Sequence, residues 1–392
     1  MLPKRFTYPS PGFSHYWNYG AGRRMLRKLD KVPDKKSIEQ NAAWLMECDE
    51  PADRVIREVF EKIGFHKASE LINEALTKGL HSINDVPESV ALLFKQAETV
   101  PDWLDKDLLA IGSCFCRRAG TMALIVLRDY CLMGGYESSA INKPLIYTQA
   151  LKKGAAKRMA ETIDFWVNVT GENAMDLHAI GFNSAIKVRL MHAYARTSIQ
   201  KMSDWSNEQW GIPLNQCDMV ATNLGFSLVF MEGLKRVGLI PTEKEIKGVL
   251  HLWKYIGYLL GIPPAYLPDT ETKAIETLYK WTISQSAADD DTKALANALL
   301  NEPLSAAFAK HLWQKKFVAG AHLAYNYYFL GTRACTAMGL PKTIFRYYPY
   351  SVSFLNRIFE FFTPYKTSVN IGRKRQEQIK TLYLRSHGYP TH

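Results

Sequence analysis

Apolar residues in this chain recur at intervals of three and four, in runs opened and closed by residues that start and stop helices. Thr242 and Glu245 form a capping box, Ile246, Val249, Leu250, Trp253, Ile256 and Leu260 follow on one helical stripe, and Gly261-Ile-Pro-Pro264 ends the run. Pro51 stands at a helix start, Val55, Val59 and Ile63 follow at helical spacing, and Gly64 sits where a C-terminal cap belongs. The same pattern predicts helices near 37–48, 88–98, 104–133, 145–168, 182–201, 217–238, 271–284, 290–300 and 303–335. Sustained period-two alternation with hairpin turns is scarce, so the chain reads as an all-α protein. No Ser/Gly/Pro-rich linker divides it. The expected organisation is one large helical domain over 37–340, with a basic N-terminal extension (1–36) and a basic aromatic C-terminal extension (341–392) packed on the core.

At 392 residues, with 47% hydrophobic residues and 12% aromatic, the chain can bury a sizeable core, and disorder is excluded. Its six cysteines form no CxxC pair and no regular framework, which favours reduced, buried thiols. No window reaches the roughly 18 apolar residues of a membrane span, and Met1 to Tyr19 lacks the apolar stretch of a signal peptide. A soluble, cytoplasmic protein is therefore expected. The net charge of +11 resides in the last segment: Lys310 to His392 holds 13 basic residues against Glu360 and Glu377 alone, whereas residues 1–309 hold 36 of each sign. That segment's aromatic runs, Phe345 to Tyr350 and Phe354 to Tyr365, suit packing on the core or peripheral contact with the inner face of a membrane. Arg373-Lys374-Arg375 is a weak nucleic-acid signal with no accompanying motif, so a nucleic-acid partner is not expected.

Nucleophile elbows, Walker loops, dinucleotide fingerprints and HExxH are all missing, and Cys114-Phe-Cys116 has no partner motif for zinc. The informative segment is Phe182 to Lys201. On a wheel of about 100° per residue, Ala185, Val188, Ala195 and Ile199 cluster around His192, with Arg189 one turn before it and Arg196 one turn after. Two readings follow. His192 is a core histidine bonded to a backbone carbonyl with exposed arginines beside it, or it is a metal ligand on a wall that admits a flat macrocycle, with an arginine neutralising the macrocycle's carboxylates. His311 and His322 lie about 16 Å apart on a continuous helix and cannot share an ion. His178 reads as a surface or pocket residue and His251 as half-buried packing. Upstream, Arg158, Glu161 and Thr162 share one side of a helix spanning about 146–167. They are either a plain Arg158–Glu161 surface pair or a cation, a carboxylate and a hydroxyl facing a pocket.

Four segments carry a likeness. Arg189-Leu-Met-His-Ala193, Trp210 to Met219, Phe226 to Gly238 with Glu232-Gly-Leu-Lys-Arg236, and His251 to Gly261 follow in order over roughly 110–270. Together they resemble the haem-b-dependent oxygenases that include the bacterial latex-clearing proteins (rubber oxygenases) and, more distantly, the fungal MpaB-type oxygenase of mycophenolic acid synthesis. The resemblance implies a globin-like helical core binding haem b, with His192 as the proximal ligand to the iron and Arg158 and Thr162 on the distal side. On the metal-ligand reading of His192 given above, its flanking Arg189 and Arg196 would be cofactor-binding. It also implies O₂ as co-substrate and oxidative cleavage or oxygenation of an isoprenoid or other apolar alkene. The latex-clearing enzymes place a lysine beside the distal threonine; this chain has Glu161 there. That difference, with the absence of an export signal, argues against polyisoprene as substrate. It leaves room for a haem-binding sensor or carrier, or a peroxidase-like protein, as the alternative.

Overall fold

The computed structural model describes residues 2–148, 154–202, 204–305 and 311–386, and every regular element among them is helical. The predicted punctuation is realised. Helix Glu243–Leu259 begins on the reciprocal Thr242–Glu245 capping box, and Pro51 lies in the first turn of Glu50–Val55. That helix continues through a π-turn, Ile56–Phe60, and ends at Gly64, whose φ of 82° an L side chain would resist.

One hydrophobic core joins nearly all elements. Lys106–Arg118 crosses Glu243–Leu259 at its centre, and the crossing is close because Gly112 and Gly248 meet there: a Cβ on Gly112 would collide with the Gly248 carbonyl. The run expected at 104–133 is two helices, Lys106–Arg118 and Gly120–Gly135, bent by 89°. Gly120 makes the bend possible, with φ of 52° and the Gly372 backbone against it. No single helix among the described residues is long and apolar enough to cross a membrane.

Three further expectations are revised. The helix read over about 146–167 is not one element: Ser139–Tyr147 ends first, residues 149–153 lie outside the described residues, and Ala155–Val169 starts after Gly154 at φ 88°. The run read at 303–335 likewise divides into Asp290–Ser305 and Leu312–Ala337, with 306–310 outside the described residues. Helix Phe65–Lys78, framed by the positive-φ glycines Gly64 and Gly79, was not anticipated.

Both terminal segments join the body. Phe13, Trp17 and Met25 are buried, and Arg5 forms a buried pair with Asp218 at 2.7 Å. Helix Tyr365–Ser386 packs against Lys106–Arg118 and Ala155–Val169, burying Val369, Gln376 and Tyr383. Helix Tyr348–Phe362 does otherwise. Only Pro349 is buried, and Phe354, Leu355, Phe361 and Phe362 face solvent.

Candidate functional site

A cavity of about 1210 Å³ runs into the core between the helices Ala155–Val169, Ile180–Gln200 and the segment 216–236. Two π-helical turns, Leu127–Leu132 and Gly225–Val229, pack on each other and contribute to its wall. A π-turn inserts an extra residue per turn and displaces the side chains around it, which is why such turns gather where a helix must make room. Phe165, Trp166, Met219, Phe226, Val229 and Trp253 make the deep lining largely apolar.

His192, Arg158, Glu161 and Thr162 all line this one cavity. His192 lies deep, and burial, reinforced by the Arg196 charge, pushes its imidazole down to about 4, so the ring is neutral across the physiological range. Its Nδ1 is buried without a hydrogen-bond partner among the described residues. The backbone carbonyl bond that a structural core histidine would make is not there. A neutral imidazole with spare lone-pair capacity, set on an apolar wall, has the donor chemistry of a metal ligand.

Arg158 donates from Nη1 to the Tyr136 hydroxyl at 3.3 Å, so the cation is held but its charge is not cancelled there. Thr162 gives its proton to the Arg158 carbonyl one turn back (2.8 Å), which leaves its oxygen lone pairs for the cavity. Glu161 is solvent-exposed on the same wall, where the cavity opens.

The two arginines flanking His192 stand elsewhere. Both are buried rather than exposed, and neither lines the cavity. Arg189 grips Asp49 with two bonds, Nε to Oδ2 at 2.6 Å and Nη2 to Oδ1 at 2.8 Å, and also reaches Gln96. Arg196 holds Asp53 (Nη2 to Oδ1 at 2.6 Å) and the Leu214 carbonyl. The cofactor-binding role expected of them therefore meets guanidinium groups already saturated by carboxylates. No local pattern could have revealed this, because the partners lie 140 and 143 residues away.

Three of the other histidines pair within the fold, while His15 lines the cavity. His322 Nδ1 lies 2.6 Å from Asp129 in a buried network with Arg128 and Glu302, His251 accepts the Asp105 backbone N–H at 2.8 Å, and His178 is 3.7 Å from Glu98. Sequence reasoning missed the contribution of residues 12–27, including Tyr16, Tyr19 and Arg23, to the cavity wall. The aromatic and basic composition there was the available signal.

The structure is a helical domain wrapped round a deep, largely apolar cavity with a neutral imidazole on its wall, and comparison with known proteins gives its family. The chain belongs to the family described as ER-bound oxygenase mpaB/B′/rubber oxygenase, catalytic domain, which it matches over residues 118–355. It is 25% identical over 226 residues to the rubber oxygenase of Streptomyces sp. (strain K30), a match covering 57% of this chain and 55% of that one. The chain thus spans about half the length of that relative. Its fold is similar to that of latex clearing protein LCP in the closed state, with a TM-score of 0.69 and 19% identity over 85% of this chain and 91% of the other.

Proposed function

We propose that the chain is a haem-b-dependent oxygenase acting on an apolar, isoprenoid- or lipid-like alkene. The observation that carries this reading is His192: a deep imidazole, neutral above about pH 4, unpartnered at Nδ1 and lining a large apolar cavity. The volume supports it too. A single small ligand needs roughly 300–1,000 Å³, so about 1210 Å³ holds a tetrapyrrole with space left for part of a substrate.

Haem, when bound, would supply activation of O₂. The protein's part follows from its side chains. His192 would hold the group's iron through its imidazole. Arg158 sets a fixed cation beside the reacting region, where negative charge developing on oxygen is stabilised without reorganisation. Thr162 offers oxygen lone pairs beside it, and Glu161 can take a proton at its carboxylate or position water at the opening. Phe165, Phe226 and Trp253 exclude bulk water and favour a hydrocarbon chain.

The exposed aromatic face of Tyr348–Phe362, with Ile344 and Phe345 nearby in sequence and also exposed, would let the enzyme touch a membrane and collect such a substrate. Tyr328, which lines the cavity, packs edge-on against Tyr350 of this helix.

The test is an absorption spectrum of protein from haem-replete cells, with O₂ uptake measured against loss of an added isoprenoid. A Soret band that His192→Ala abolishes, with coupled uptake, is expected. Colourless protein would overturn the cofactor. A haem spectrum with no substrate-coupled uptake would leave the haem-carrier or sensor alternative.

A further inference from the structure

The charged groups on the cavity wall are, with few exceptions, committed to protein partners. Arg236 donates to the carbonyls of Tyr328 and Phe329, Arg333 to those of Pro11 and Gly12, and Arg128 to Asp129 and Glu302. Asp218 is taken by Arg5 and the Trp281 indole, and Glu232 by Lys235. Glu137 is buried, and its carboxyl is pushed up by that burial despite Arg333 nearby.

Arg23, Arg24 and Arg27 are different. All three line the same cavity, all three are exposed, and none makes a side-chain hydrogen bond or ion pair among the described residues. Their neighbour Lys28, equally at the surface, is paired with Glu271 at 2.7 Å. The three guanidinium groups therefore stand where the cavity meets solvent, uncompensated, while its deep end at His192 is apolar. An uncompensated cationic rim over a greasy interior is complementary to a molecule with one anionic end.

Resting on the oxygenase reading above, we propose that the substrate is an amphiphile: an unsaturated apolar chain lying towards His192 and an anionic head, carboxylate or phosphate, seated on Arg23, Arg24 and Arg27. A neutral hydrocarbon would leave this rim unused. The same chemistry fits the carboxylates of a bound porphyrin, and the experiment separates the two sources.

Calorimetric titration of the purified protein with monomeric oleate, oleyl phosphate and oleyl alcohol, which share a chain and differ in head group, gives the preference directly. We expect the two anions to bind at least tenfold tighter than the alcohol, with that advantage shrinking as salt rises. In the Arg23→Gln/Arg24→Gln/Arg27→Gln variant the anions should weaken about tenfold or more and the alcohol should be unchanged. Because the three side chains are exposed and unpaired, the variant should keep the wild-type melting temperature, and single variants give the graded effect if it does not. Equal binding of oleate and oleyl alcohol by the wild type, or anion binding unaffected in the triple variant, overturns the proposal. So does a variant that loses its Soret band yet still prefers oleate, since the guanidinium groups would then serve the cofactor. Binding needs no turnover, so colourless protein that still prefers the anions would sink the oxygenase reading and leave the anion rim standing.

Discussion

Replacing Asp49 by asparagine removes the charge that faces Arg189 and leaves a guanidinium stranded in the interior. Both side chains are buried, and the carboxylate takes two bonds at 2.6 and 2.8 Å. Breaking a buried pair from one side costs about 3–5 kcal/mol. Asparagine keeps one acceptor oxygen, and Arg189 keeps Gln96 at 3.1 Å, so the lower end, about 3 kcal/mol, applies. With a urea slope of about 3 kcal/mol/M for a chain of this size, the unfolding midpoint should fall by about 1 M, read by tryptophan fluorescence. Adding Arg189→Met to Asp49→Asn should restore most of the loss, because the stranded charge goes with it. A midpoint shift below about 0.2 M, or an Arg189→Met variant that keeps its stability but sheds haem, would refute the assignment of Arg189 to the scaffold.

Three further outcomes follow. His192 is held neutral down to about pH 4, so between pH 6.5 and 4 the unfolded chain binds the extra proton. The cofactor-free protein should keep its full stability above pH 6.5 and lose up to about 3 kcal/mol on falling to pH 4; a flat profile that His192→Ala leaves unchanged would contradict this. Arg158→Met should lower kcat about 10²- to 10³-fold with the Soret band retained, as expected for loss of a charge-stabilising donor, and unchanged turnover would remove it from the chemistry. Gly112→Ala should destabilise by about 1–3 kcal/mol in chemical denaturation, because the added methyl meets the Gly248 backbone, which has no side chain to move aside.

Local signals carried much of the architecture. A capping box with three-four spacing placed Glu243–Leu259 closely, and the apolar spacing alone placed Glu88–Glu98, since both signals are written within one helix. Breaks governed by backbone torsion were harder: Gly154 at φ 88° separates helices that an uninterrupted apolar pattern runs together, and Gly120 folds a run whose composition reads as one rod. At the site, one-helix geometry put Arg158, Glu161 and Thr162 on a common side, and the structure sets that side and His192 on one cavity. What the helix wheel lacked was the other chain segment. Asp49 and Asp53 turn Arg189 and Arg196 from free cations into half of a buried seam, and only the three-dimensional fold brings residues 140 positions apart together.

That seam has a mechanical side. The two arginines sit three residues before His192 and four after it, and each is clamped to the same short helix, Glu50–Val55, or to the residue that caps it. A rod pinned at two points along its length cannot roll about its axis. The imidazole's bearing is therefore preset by fasteners that lie outside the chamber, and whatever docks there need spend none of its binding energy on aiming it.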